Sequence, residues 1–220
     1  MANQSETTSG RPGSGPAIEP QPSLPPSYTI TAIERPEQLS QYLPSLRALL
    51  QFHVNDDPSV SSIGFRAPLS DSGADDFWLS ISKRLEDEVA GLSPRSYYMF
   101  VLTTGSSVEV LATAAVMTIN KVNHMHRAEI VKVLVAPSHQ RKGLGQAMMR
   151  HIEDFARIQL RKDVLMLDTA TETPAVHFYR RLGWKEWGTC PEYADFADGR
   201  RGDCTFFVKI VRDTPRELSA

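Results

Sequence analysis

The sequence predicts a mixed α/β domain in which a central β-sheet is flanked by helices. Segments whose apolar residues alternate every second position are interleaved with segments whose apolar residues recur every three or four positions. The composition, 41% hydrophobic and 23% charged residues, is typical of a folded globular chain. The predicted order is β-α-α-β-β-β-α-β-α-β, with room for one more strand near the end.

The first half of the domain is predicted to contain one strand and two helices. Residues 28–34 alternate as a strand does, and Pro36 opens a helix that extends to Val54. Residues 56–72 are rich in turn-forming residues and predict a long loop. Residues 74–90 return to a helical period.

The second half is predicted to begin with two strands, 97–103 and 108–118, joined by a Gly-Ser hairpin. Trp184 and Trp187 are expected in the sheet core. The other predicted elements are a strand at 128–135, a helix at 144–160, a strand at 164–167, a helix at 174–182 and a strand at 205–210.

Residues 1–27 contain six of the fifteen prolines and few apolar residues, which predicts a disordered leader. Residues 28–212 are then the folded domain, and 213–220 are a short tail. We expect deletion of the leader to leave stability and activity unchanged, because it has little apolar surface to bury.

The charge and apolar pattern exclude several classes of protein. A net charge of −2 argues against a nucleic-acid partner. No run of 18 apolar residues occurs, which argues against a membrane partner. Two cysteines without nearby ligand residues fit a reducing cytoplasm and predict no metal site. We expect a monomer or a homodimer.

The most informative segment runs from Val131 to Gly145, where an apolar strand enters a glycine-containing turn that opens a helix. Backbone N–H groups at a helix N-terminus attract phosphate, and Arg141 and Lys142 add positive charge there. Gly143 and Gly145 fit equally well a simple tight turn. The pattern lacks the third glycine of a dinucleotide-binding loop and the Lys-Ser/Thr of a Walker loop.

Two motifs at characteristic spacing resemble the GCN5-related N-acetyltransferase (GNAT) superfamily. Gln140-Arg141-Lys142-Gly143-Leu144-Gly145 is similar to its Gln/Arg-x-x-Gly-x-Gly/Ala signature, and Phe178-Tyr179-Arg180-Arg181-Leu182-Gly183-Trp184 to its Phe-Tyr-x-x-Leu-Gly-Phe segment. A narrower resemblance, over about residues 40–210, rests on five further segments: Ser62-Ile63-Gly64-Phe65, His126-Arg127-Ala128-Glu129-Ile130-Val131-Lys132, Leu167-Asp168-Thr169, Pro191-Glu192-Tyr193 and Asp198-Gly199-Arg200. These segments resemble tabtoxin-resistance acetyltransferases, which acetylate an amino-acid toxin. The resemblance implies the GNAT fold and acetyl-CoA as co-substrate.

The resemblance also implies which residues hold acetyl-CoA. The amides of the turn would bind its pyrophosphate, and the end of the central strand would pair with its pantetheine, with the Val133 N–H directed at the thioester carbonyl. The expected cofactor-binding residues are Val133, Leu134, Val135, Gln140, Arg141, Lys142, Gly143, Leu144, Gly145 and Gln146.

Three residues are candidates for catalysis. Glu129 is the expected base, and its place four residues before Val133 predicts that both lie on one side of the strand. Tyr179 occupies the superfamily's usual acid position and would protonate the leaving thiolate. Asp168 would hold the acceptor or complete a base relay, although an Asp that only caps the following turn fits equally well.

The expected activity is transfer of an acetyl group to the primary amine of a small molecule, such as a toxin, antibiotic or amino-acid-like metabolite. The pocket is expected to attract a cation through Asp168 and an acidic loop containing Glu192, Asp195 and Asp198, with Phe65 closing over it. Two alternatives are acetylation of protein lysines and binding of acetyl-CoA without turnover.

Overall fold

The computed structural model describes residues 27–59, 61 and 64–212. The leader predicted for residues 1–27, except Ser27, and the tail predicted for 213–220 lie outside these residues. The elements are β1 (Tyr28–Ile33), α1 (Pro36–Asn55), α2 (Asp71–Val89), β2 (Tyr97–Thr104), β3 (Ala112–Thr118), β4 (Arg127–Val135), α3 (Leu144–Ile158), β5 (Val164–Ala170), α4 (Pro174–Arg181), β6 (Lys185–Asp195) and β7 (Arg201–Ile210).

A seven-stranded sheet in the order β1-β2-β3-β4-β5-β7-β6 forms the centre of the fold. The predicted mixed α/β class is confirmed, since β4 and β5 run parallel while the other neighbouring strands run antiparallel. Helices α1 and α2 bury one face of the sheet, around Trp78 and Leu50, and helices α3 and α4 bury the other, around Ile152 and Phe207. None of the helices described in residues 27–212 has the length and apolar character needed to span a bilayer.

Strands β4 and β5 are paired only over their first residues. Their parallel register joins Arg127, Ala128 and Glu129 to Val164, Leu165 and Met166. Beyond Met166, β5 continues in register with β7 as far as Ala170, and β4 continues along β3. The two strands therefore separate and leave a cleft in the middle of the sheet, which we call the β4–β5 cleft.

A β-bulge in β4 lies beside this cleft. The register with β3 changes from Thr113↔Leu134 to Ala115↔Val131, so Lys132 and Val133 together oppose one residue of β3. Lys132 adopts a φ of 54°, in the left-handed region. The bulge adds one residue to the strand, which reverses the side on which each later side chain lies.

The bulge corrects the expectation that Glu129 and Val133 share one side of the strand. Glu129 pairs with Met117, which packs in the α1–α2 core, whereas Val133 packs in the α3–α4 core. The expectation was wrong because it assumed a regular pleat, and one inserted residue inverts that alternation. Glu129 therefore lies on the α1–α2 face of the sheet.

The C-terminal strands also differ from the prediction. Strand β6 was anticipated only as room for one more strand, and Trp187 within it is 59% exposed rather than part of the core, unlike the buried Trp184. Strand β3 begins at Ala112, because residues 105–111 form a longer connection than a tight hairpin. Glu192 and Asp195, expected in a loop, lie on β6.

Candidate functional site

The turn between β4 and α3 presents backbone N–H groups at the open end of the cleft. Gly143 caps α3 with a φ of 84°, a conformation that glycine adopts without steric cost. The first bond of the helix is Ala147 N–H to the Gly143 carbonyl, so the amides of Leu144 and Gly145 point out of the helix end. Arg141 and Lys142 are exposed beside them. This end of α3 is suited to binding an anion.

Gly145 allows α3 to pack closely against its neighbours. A Cβ atom there would lie 3.3 Å from Phe178 Cζ and 3.4 Å from Val135 Cγ2.

The side chains of Leu144 and Leu134 are buried in the two cores. Of the predicted cofactor-binding residues, these two can therefore contact a ligand only through the main chain.

His53 of α1 holds the last residue of β4 in place, which the sequence did not indicate. Its Nε2 lies 3.0 Å from the Val135 carbonyl, which also accepts a hydrogen bond from Gln140 Nε2 at 3.3 Å. Burial lowers the pKa of His53, which favours the neutral ring with its N–H directed at this carbonyl. The Val135 carbonyl at the end of the strand is thus held by two side chains.

Tyr179 lies on the α3–α4 side of the cleft. It is 7% exposed and packs against Phe178, Trp184 and Phe207. Burial raises the pKa of its phenol above the ordinary value, and the negative charge of Asp168 raises it further. The phenol therefore stays protonated at neutral pH, as a proton donor must.

Glu129, Lys132 and Asp168 form a charged cluster on the α1–α2 side of the cleft. Glu129 on β4 pairs with Met166 on β5. Asp168 lies two residues after Met166, and side chains two residues apart on a strand share a face, so both carboxylates lie on the same face of the sheet. Burial raises the pKa of Asp168 and lowers that of Lys132, and the attraction between the two charges opposes both shifts. The two groups therefore interact electrostatically.

Aromatic side chains surround the charged cluster. Lys132 Nζ lies 5.5 Å from the ring centre of Phe65 and 5.3 Å from that of Phe77. Tyr193 of β6 packs edge-on against Phe206, and its pKa is raised by burial and then by charges that include Asp168 and Glu129. Tyr193 therefore lies within electrostatic reach of both carboxylates.

The loop between α1 and α2 is fastened to the β6–β7 hairpin. Arg66 bonds Asp195 at 2.6 Å and the Phe196 carbonyl at 3.1 Å. The Ala67 amide donates to the Ala197 carbonyl at 2.8 Å, and Arg200 reaches the Ser59 carbonyl at 2.6 Å. These bonds place Phe65 beside the charged cluster.

The family model of the Acetyltransferase (GNAT) family matches residues 65–184. This chain belongs to the GNAT acetyltransferase family. The match includes the cleft, the turn and Tyr179, as the two sequence motifs predicted. The GNAT fold is confirmed along with the family.

Two curated relatives of this GNAT protein are named as acetyltransferases of streptothricin and of spermidine. It is 41% identical over 58 residues to streptothricin acetyltransferase of Streptomyces lavendulae, covering 26% of this chain and 31% of that protein. It is 32% identical over 84 residues to spermidine N(1)-acetyltransferase of Vibrio cholerae, covering 38% and 48%. The chain thus spans a third to a half of these relatives, and the narrower resemblance to tabtoxin-resistance enzymes stays a prediction.

Solved GNAT structures share the fold at low identity. A ribosomal-protein-S5-alanine acetyltransferase from Vibrio fischeri has a TM-score of 0.65 at 15% identity and covers 86% of this chain and 96% of its own. An acetyltransferase from Salmonella typhimurium, solved with its cofactor acetyl-CoA, has a TM-score of 0.61 at 16% identity and covers 88% and 99%.

The residues of this GNAT-family protein fit acetyl-CoA. Past Glu129 the main chain of β4 turns one edge toward the cleft, where an extended ligand can pair with it. A Cβ atom at Gly143 would meet nothing within 4 Å, so the turn faces open space. The predicted roles of residues 133–135 and 140–146 are compatible with this geometry and stay predictions.

The expectation of an acidic loop that attracts a cation is corrected. Asp195 is paired with Arg66 at 2.6 Å and with Arg201 at 3.2 Å, and Asp198 lies 3.8 Å from Arg200. These arginines compensate the charge of both aspartates. Glu192 is exposed on β6. The negative charge nearest the cleft comes instead from Glu129 and Asp168.

Proposed function

We propose that this GNAT protein transfers an acetyl group from acetyl-CoA to the primary amine of a small molecule. The observation that carries the proposal is the division of the β4–β5 cleft, with Tyr179 on one side and the charged cluster on the other. Such a division suits a reaction in which one reactant gives up a proton and the other accepts one.

The turn and the free edge of β4 would bind the donor. Acetyl-CoA supplies an acetyl thioester, and the amides of residues 140–146 with Arg141 and Lys142 would hold its phosphates. The Val133 N–H would donate to the acyl oxygen and stabilise negative charge there. His53 would keep this stretch of β4 in position through the Val135 carbonyl.

Glu129 and Tyr179 would carry the protons. Glu129 would take one proton from the acceptor ammonium, directly or through water, so that the neutral amine attacks the thioester carbon. The second proton lost by the nitrogen as the N–C bond forms would pass to water. Tyr179 would donate its proton to the sulfur as the C–S bond breaks, and water would reprotonate the phenol. Asp168 would hold the ammonium form of the acceptor before it reacts.

A small acceptor is favoured by the walls of the site. The α1–α2 loop and the β6–β7 hairpin are bonded to each other and place Phe65 near Lys132. The named substrates of the two curated relatives, streptothricin and spermidine, are small amines as well. Removal of a toxic amine is a suitable role for such an activity.

The test is a panel of small primary amines and histone-tail peptides, with release of free thiol from acetyl-CoA as the readout. We expect several small amines to be acetylated at amine-dependent rates and the peptides to react poorly. Faster turnover of peptides would favour protein acetylation. A rise in melting temperature with acetyl-CoA but no turnover with any acceptor would favour a module that only binds acetyl-CoA.

A further inference from the structure

We infer that Lys132 binds a carboxylate of the acceptor, so that the preferred substrate is an amino-acid-type amine, carrying both an amine and a carboxylate, rather than a plain polyamine. This inference rests on the proposed function and narrows its substrate class. Lys132 is the specificity-determining residue in this reading.

The backbone places Lys132 at the reaction centre. The bulge makes it the extra residue of β4, directly before Val133, and turns its side chain to the same face as Glu129 and Asp168. A φ of 54° is unfavourable for a residue with a side chain, and such conformations cluster at functional sites. A regular strand with an uncharged residue at this position would pair with β3 without a left-handed backbone conformation.

The surroundings of Lys132 suit recognition of an anion. Its ammonium lies within 5.5 Å of two aromatic ring centres and is largely withdrawn from water, which strengthens its attraction to a charged ligand. Lysine at neutral pH is a cation with three N–H donors. It can therefore bond a protein acceptor and a ligand carboxylate at the same time.

The charges of the cluster match an amino acid better than a polyamine. In the proposed reaction Glu129 and Asp168 both face the reacting amine, and Lys132 is the member of the cluster that complements a ligand carboxylate. A polyamine would bring its second ammonium group toward Lys132 instead. The aspartates of the β6–β7 hairpin do not offset this repulsion, because arginines pair with them.

Matched pairs of amines that differ only by one carboxylate provide the test. Lysine and cadaverine form one pair, and ornithine and putrescine form the other. We expect wild-type kcat/KM to be higher for each amino acid by roughly 10-fold to 100-fold, the usual size for one hydrogen bond to a charged group. Lys132→Met should abolish this preference by raising KM for the amino acids, while kcat changes little.

Two further variants complete the design. Lys132→Arg keeps the positive charge and should retain part of the preference. Lys83→Met removes a lysine from the outer surface of α2, where it pairs with Asp87, and should leave the preference unchanged. Circular dichroism and melting temperature establish that each variant is folded, and the wild-type comparison stands without any variant.

Three outcomes would overturn the inference. Equal or better turnover of the diamines by the wild-type protein would overturn it while leaving acetyl transfer to amines intact. A Lys132→Met enzyme that loses kcat equally on all four substrates would assign Lys132 to the chemical step instead. Absence of turnover with every amine would overturn the proposed function itself, and the inference with it.

Discussion

The two sides of the β4–β5 cleft are built in different ways. The donor side, residues 133–146, is one continuous stretch of chain that offers mainly backbone groups. The acceptor side is assembled from side chains on separate elements, namely Phe65, Glu129, Lys132, Asp168 and Tyr193. Its walls are joined by two hydrogen bonds, Arg66 to Asp195 and Arg200 to Ser59, whose partners are separated by 129 and 141 positions in the sequence. A continuous main-chain site can be recognised from a motif, whereas a site of scattered side chains depends on the whole fold.

The largest expected effect is on the donor side. Gly143 and Gly105 both adopt a positive φ with open space around a Cβ atom, so a leucine at either position costs a similar ~1–2 kcal/mol of folding free energy. Only Gly143→Leu should abolish the rise in melting temperature caused by acetyl-CoA. Thermal melts of both variants, with and without acetyl-CoA, measure this. Normal binding by Gly143→Leu would place the phosphate site elsewhere.

Tyr179→Phe should lower kcat by roughly 10²-fold or more and leave KM for acetyl-CoA nearly unchanged. Because burial and Asp168 raise the pKa of Tyr179, the wild-type phenol should remain a proton donor above pH ~10, its ordinary pKa. Steady-state kinetics against pH measure both. Tyr97→Phe, at another buried tyrosine, is the control. An unchanged rate in Tyr179→Phe would make Tyr179 a core residue only.

Glu129→Gln tests the acceptor side at its chemical step. We expect a loss of roughly 10²-fold at low pH, where little amine is neutral, and partial recovery as the pH rises. The pH profile of kcat/KM for the amine is the measurement, and Glu109→Gln, in the exposed connection before β3, is the control. A profile parallel to that of the wild type would exclude Glu129 as the base.

Arg66→Met should have the smallest effect. It removes two bonds between the α1–α2 loop and the hairpin, and exposed ion pairs contribute only ~0.2–1 kcal/mol. KM for the amine should therefore rise about 2-fold to 5-fold, while the dissociation constant of acetyl-CoA stays constant. Titration calorimetry and kinetics separate the two. Weaker acetyl-CoA binding in this variant would mean that the two sides are coupled.

The same contrast explains what could be predicted from the sequence. The turn at Gly143, helix α3 and the position of Tyr179 follow from local patterns that the fold preserves. Strand β6 could not be foreseen because it is an exposed edge strand, held by pairing with β7 rather than by an apolar pattern. Its Trp187 is exposed for the same reason.

The bulge was hidden for a related reason. Its one visible signal was a lysine inside the apolar run Val131-Lys132-Val133-Leu134-Val135, where regular alternation would place apolar and polar residues in turn. Such a signal indicates an irregularity in the strand but does not give the register in which β4 pairs with β3. The pairing of Asp195 with Arg66 was likewise invisible, because Arg66 is distant in sequence.

The unpaired edge of β4 has a consequence for mutational tolerance. Every residue except proline presents the same backbone N–H and C=O groups. The affinity for a ligand that pairs with this edge therefore depends little on which side chains the strand carries. Exchanges at a position such as Lys132 can then alter the choice of amine while donor binding persists. A single scaffold could in this way be retargeted to new acceptors by a few substitutions, with its acyl donor unchanged.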